Sequence, residues 1–158
     1  MKLIKALFFF LAASSAVTTF AQDKQMDTNM QILLDKVKAD KKLVVAANME
    51  LNDAEGKAFW PIYDAYQKDL QVLNARLAKT ILAYADAYND KTLTDEQATR
   101  LTSEALAIDQ DEIAMRKTYA ARLSKVLPGK KVARYLQIEN KIRAAIRYDL
   151  AAGIPLVQ

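Results

Sequence analysis

The sequence contains no cysteine and no histidine. Without histidine there is no side chain whose unperturbed pKa suits proton transfer near neutral pH. The absence of both residues also removes the common soft metal ligands and every cysteine nucleophile. Disulfides are excluded too, so the fold must be held by packing alone. There are only three glycines, Gly56, Gly129 and Gly153, each isolated from the others, and they cannot form a glycine-rich phosphate loop. With only three prolines besides, the chain has few residues for sheet turns, and no stretch alternates strictly as a half-buried strand would. Carboxylate pairs such as Glu50 with Asp53, or Asp109 with Glu112, are the remaining candidates for acid–base work or for holding a hard cation. On helices such pairs read first as solvated faces. No catalytic, cofactor or metal site is expected, and the chain is not expected to be an enzyme.

A five-residue phrase occurs twice, as Leu51-Asn52-Asp53-Ala54-Glu55 and as Leu93-Thr94-Asp95-Glu96-Gln97. Asn52 and Thr94 are good helix N-caps, and Glu55 and Gln97 stand where a capping box needs an acid or amide to reach back to the cap. Asp53, Asp95 and Glu96 suit the positive end of the helix dipole. Behind the first copy, Phe59, Tyr63, Tyr66, Leu70, Leu73, Leu77, Ile81 and Tyr84 follow at spacings of three and four. At the same offsets behind the second copy come Leu101, Ala105, Ile108, Glu112, Met115, Tyr119, Leu123 and Val126. Two helices with one stripe in one phase point to a helical hairpin or cradle, and such spacing suits a bundle or coiled-coil seam. Glu112 is the one charged residue in the matched set. Pairing with Arg116 one turn on, at the surface, is the preferred account; a buried polar layer that sets register is the other.

Lys2 and Lys5 precede an uncharged run from Ala6 to Ala21, diluted by serine and threonine and ending Thr-Phe-Ala. This is the layout of a secretory signal over residues 1–21, with cleavage before Gln22. The run is 16 residues long, shorter than the roughly 18 expected of a spanning helix. The remainder, 22–158, suits one helical domain that buries roughly two-thirds of its unfolded surface. Its charge is polarised: residues 22–115 hold 11 basic and 17 acidic side chains, and residues 116–158 hold 10 basic and 2 acidic.

Helices are expected over about 28–48, 53–89, 95–126 and 128–152, giving an all-α fold. In the first, Leu33, Leu34, Val37, Val44 and Ala47 make the apolar face. Asn89-Asp90-Lys91-Thr92 is a polar turn, Pro128-Gly129 stops one helix and pre-sets the next, and Gly153 with Pro155 ends the last. Pro61 lies inside the second helix and is expected to kink it. A helix of that span is roughly 50 Å long. An elongated hairpin or a homodimer would bury its stripe better than a compact monomer.

Phe59, Trp60, Tyr63 and Tyr66 cluster within eight residues. They read as a second packing surface or, with Trp60 and Tyr63 outward, as an aromatic patch for a partner. Met26, Met30, Met49 and Met115 read as packing residues or part of a flexible end. The basic residues Arg116, Arg122, Lys125, Lys130, Lys131, Arg134, Arg143 and Arg147 read either as a solvated face or as a surface for acidic partners or anionic lipid head groups. Nucleic acid is not an expected target of an exported protein.

The phrase Leu93-Thr94-Asp95-Glu96-Gln97 resembles the LTxxQ motif of the small periplasmic stress proteins that include Spy and CpxP, and Leu51 to Glu55 looks like a degenerate first copy. Phe59-Trp60-Pro61-Ile62-Tyr63 and Val126 to Lys131 are similar to stretches in exported helical proteins of Gram-negative bacteria. The resemblance implies a curved, all-helical homodimer of the periplasm with a basic, partly apolar concave face. It implies ATP-independent chaperone action on unfolded envelope proteins, or an adaptor that docks a periplasmic sensor domain. The chain departs from the motif at Asn52 and Glu55, and it lacks the histidines on which metal-sensing relatives rely.

Overall fold

The computed structural model describes residues 40–157, and among them the chain is all-α with no strand. The expected signal segment lies outside the described residues. Four helices follow in order: α1, residues 40–49; α2, Asp53–Asn89; α3, Asp95–Leu123; and α4, Gly129–Gly153. They belong to two compact units. One joins the described residues up to Glu50 with Ile138–Gly153, and the other joins Leu51–Gln137 with Ile154–Val157.

Each start of the hairpin helices is fixed by the duplicated phrase. The Asn52 side chain accepts from the Glu55 amide at 2.9 Å, and the Glu55 carboxylate accepts from the Asn52 amide at 3.0 Å. The Thr94 hydroxyl accepts from the Gln97 amide at 3.2 Å, and the Gln97 side-chain oxygen accepts from the Thr94 amide at 3.0 Å. Both are complete capping boxes, which satisfy donors that a helix start leaves without intrahelical partners.

Helix α2 has 37 residues and runs unbroken through Pro61. It stops at a Schellman motif. The Thr92 amide bonds the Ala87 carbonyl at 2.9 Å and the Lys91 amide bonds the Tyr88 carbonyl at 3.3 Å, with Lys91 left-handed at φ 55°. Five residues later α3 begins and runs back along α2. Pairing falls along one helix as it rises along the other, from Tyr66 with Tyr119 to Arg76 with Glu104.

Helix α3 ends at Leu123, three residues short of the expected Val126. The following residues tighten, with the Lys125 amide on the Arg122 carbonyl and the Val126 amide on the Leu123 carbonyl. Pro128 causes this, because the residue before a proline is pushed out of the α region. The Pro128 carbonyl then accepts from Lys131 and Val132 at 2.9 and 3.1 Å, opening α4.

The matched stripe lies inward throughout. All of its positions are buried or half-buried, and burial is deepest where Phe59, Tyr63 and Tyr66 meet Tyr119 and Leu123. Tyr135, at 0% exposure, closes this end. Its ring lies 5.2 Å from Phe59, 6.1 Å from Tyr63 and 5.8 Å from Tyr66, each edge to face.

In the other unit Val45 and Met49 are fully buried, and Lys41 Nζ meets Glu139 Oε2 at 2.8 Å. The inward face of α1 is therefore Lys41, Val45 and Met49, one turn apart each. This corrects the expected face at Val44 and Ala47, which are exposed, while its other members Leu33, Leu34 and Val37 lie outside the described residues. The charged run from Lys38 to Lys42 hid the true phase, because Lys41 joins the face by pairing with Glu139.

Two stability outcomes follow. Tyr135→Ala removes the hub of the aromatic cluster and is expected to cost about 3–5 kcal/mol in urea unfolding, as large-to-small core changes do. Lys91→Gly relieves a left-handed backbone that glycine adopts without a Cβ clash, and is expected to raise stability by about 1 kcal/mol in the same measurement.

Candidate functional site

Chemistry-bearing side chains in the hairpin are tied to each other. Arg76 reaches across from α2 to α3, with Nη2 at 3.0 Å from Glu104 Oε1 and Nη1 at 2.6 Å from Asp111 Oδ2. The two carboxylates, Asp111 first, hold the guanidinium more firmly protonated still. The Tyr119 hydroxyl donates to Asp69 Oδ2 at 2.6 Å. Burial pushes the Tyr119 phenol up, and the Asp69 carboxylate adds to that shift. Arg122 lies over the Tyr119 ring at 4.7 Å.

Beside these groups is an open groove of about 320 Å³, lined by Asp69, Val72, Leu73, Asp111, Met115, Thr118 and Tyr119. Its floor is apolar and its two carboxylates are already engaged, which suits an apolar contact better than a catalytic one. Among the described residues no three acidic side chains come together as a metal site, and no helix is long and apolar enough to cross a membrane.

Away from the aromatic end the seam is unevenly covered, with Ile108 and Glu112 on α3 buried. Leu70, Leu73, Leu77 and Ile81 on α2, with Leu101 and Met115 on α3, are each half-buried, because two helices shield one another from two sides only. Outside it, Leu106 and Ile113 stand in water at 64% and 51% exposure, seven residues apart on one face of α3.

The basic residues separate into two groups. Arg122, Lys125, Lys130 and Arg134 are exposed around the turn from α3 to α4, with Arg116 half-buried nearby in sequence. Arg143 and Arg147 are half-buried and belong to the other unit, so the basic run does not form one surface within a unit. Lys131 is committed to an ion pair with Glu55.

Two readings are corrected. Tyr63, at 3% exposure, is part of the aromatic core and offers no outward patch, while Trp60 beside it is half-buried. Glu112 is 5% exposed and does not sit at the surface. It occupies a stripe position between Ile108 and Met115, and stripe positions face α2 whatever residue fills them; its Oε1 is buried and accepts no hydrogen bond. Sequence reasoning did not find Asp69, Arg76, Glu104 or Asp111, whose partners lie 28 to 50 residues away. The shared phase of the two stripes was the one signal from which those pairs could have been matched.

Comparison of this chain with protein-family models, with curated proteins and with solved structures finds no match.

The Glu55 carboxyl ties the α2 cap to the first turn of α4. The Lys131 ammonium, then the Asn52 amide, hold it below its ordinary value of 4.5. A carboxyl lowered in the folded state adds stability that is complete above about pH 4.5 and is lost as pH falls through the lower folded value. Glu55→Gln keeps the capping amide but loses the charge. The stability difference between Glu55→Gln and the parent, read by thermal unfolding, is expected to be full at pH 7 and to vanish progressively below pH 4.5.

Proposed function

We propose that the protein is an exported, non-catalytic protein-binding protein that holds unfolded polypeptides of the bacterial envelope without ATP. The half-buried leucines of the α2–α3 hairpin, together with the exposed Leu106 and Ile113 on α3, carry this reading. Apolar surface left in water favours association with apolar surface elsewhere, and a contiguous strip of it is the usual mark of an interaction site. Export is supported by the signal-like residues 1–21, and the periplasm by the two LTxxQ-like phrases. The missing histidine and cysteine, and the mutual engagement of the hairpin's charged groups, favour binding over catalysis.

The exposed cations at the α3–α4 turn favour one further reading, an adaptor that docks an acidic sensor domain. Charge complementarity of that kind gives specificity and a salt-sensitive on-rate. An adaptor retains one saturable partner whose binding falls steeply as salt rises, whereas a holding protein retains many weak clients with little salt dependence.

The deciding assay dilutes a chemically denatured enzyme into buffer with the mature protein and follows light scattering. Suppression near equimolar ratio is expected, together with a several-fold loss in the variant carrying Leu106→Asp and Ile113→Asp at unchanged helicity. No suppression at any ratio up to a large excess sinks the holding function.

A further inference from the structure

Residues 113–137 carry seven lysines and arginines and no aspartate or glutamate. They cover the end of α3, the turn and the start of α4. The start of α2 that packs beside them, 51–68, holds three acids and two bases. One of those acids, Glu55, is taken by Lys131. The remainder of the hairpin, 69–112, holds nine acids and four bases. The hairpin is therefore a charge dipole along its length, positive at the closed aromatic end and negative at the far one.

The positive end is not neutralised from within. Lys117, Lys125 and Lys130 are exposed and meet no carboxylate among the described residues, and Arg122 and Arg134 are exposed with them. The turn itself protrudes, since Ser124, Lys125, Pro128, Gly129 and Lys130 are all exposed. Such a turn has no walls with which to enclose a partner's side chain, but it can lay several cations on a plane at once. The negative end is built differently. There Arg76 takes both Glu104 and Asp111, and Glu112 is buried, so its acids do not make one complementary patch for a second copy.

We infer that the α3–α4 turn docks the hairpin end-on upon an anionic lipid bilayer, its cations meeting the headgroup phosphates. The occupant follows from the charge. A plane of one sign attracts the positive end and repels the other, so the dipole sets orientation as well as affinity. The exposed Val72, Leu82, Leu106 and Ile113 all fall in the half that this orientation holds away from the headgroups. The inference goes beyond the holding function and stands without it. Each cation held at an anionic surface strengthens binding about fivefold, and the attraction falls off within a Debye length of about 8 Å at physiological salt.

The test is co-sedimentation of the mature chain with vesicles of phosphatidylglycerol and, separately, of phosphatidylcholine. Binding to phosphatidylglycerol alone is expected, with release as sodium chloride is raised and no greater release by inorganic phosphate at the same ionic strength. Lys125→Gln with Lys130→Gln should weaken binding about 25-fold, at about fivefold for each cation. Lys79→Gln with Arg100→Gln, the same loss of charge at the far end, should leave it unchanged. Circular dichroism confirms that both variants fold. Equal binding to the two lipids, binding to neither, or an equal loss in both variants overturns the inference. Release by inorganic phosphate beyond that by chloride also overturns it, by assigning the cations to a free anion. Two further results do the same. Salt-sensitive self-association in place of vesicle binding, abolished by Lys125→Gln with Lys130→Gln, assigns the turn to a second copy, and capture of one acidic protein without vesicle binding assigns it to the adaptor reading.

Discussion

A helix that starts one residue early turns its whole side-chain stripe by about 100° relative to the connection that feeds it. In this chain the start of α3 follows α2 after only the five residues 90–94, so the cap at Thr94 decides whether Leu101, Ile108, Met115 and Tyr119 meet α2 or water. The cap at Asn52 does the same for Phe59, Tyr63 and Tyr66. Each box satisfies backbone donors at the helix start that have no intrahelical partner. The cross-helix pairs Tyr119 with Asp69 and Arg76 with Glu104 and Asp111 then form because both stripes arrive in phase. The left-handed Lys91 completes the geometry by folding the chain back sharply at the cost of a strained residue.

Burial along the seam is uneven, and the unevenness has a composition. One end is closed by tyrosines, whose rings fill space in three directions and whose hydroxyls find partners, as Tyr119 does in Asp69. Further along, Leu70, Leu73, Leu77 and Ile81 on α2 are only half-buried, although Ile108 and Glu112 on α3 are buried and the α2 stripe ends in Tyr84. Local opening free energy follows buried apolar contact, so the half-buried leucines are expected to open before the aromatic end does. The binding proposed above would draw on such a region. The dry aromatic end supplies the rigidity that keeps both helices in register while the rest yields.

What was legible in the sequence was what local chemistry decides. Asn52 with Glu55 and Thr94 with Gln97 could be read because a capping box closes within four residues, and the three-and-four spacing of the stripe needs only the helix itself. The bounds of α2 were readable for the same reason. Burial was less legible wherever a distant partner sets it. Nothing in the neighbourhood of Tyr63 announces Tyr135, 72 positions on, so its burial is not legible locally. The charge of Glu112 argues for the surface and its offset in the stripe for the interior, and the offset prevails. Lys41 disguised the inward face of α1, since a lysine joins a buried stripe only when an acid such as Glu139 awaits it. Pro155 was legible as a stop signal and nothing more, because the Tyr84 hydroxyl that bonds its carbonyl lies 71 residues earlier.

Trp60 is the chain's single tryptophan. Its ring sits 5.0 Å from Phe59 and 5.3 Å from Tyr63, edge to face with both, so the molecule's only indole chromophore touches two of the rings gathered around Tyr135. Several tyrosines lie within a few rings of it, and among the described residues none of the other unit's buried ones is aromatic. The protein therefore carries an optical probe of one unit alone. Its emission registers the packing of the hairpin's closed end, while backbone circular dichroism sums the helices of both units, and the two signals divide the molecule's unfolding between its parts without any label being attached.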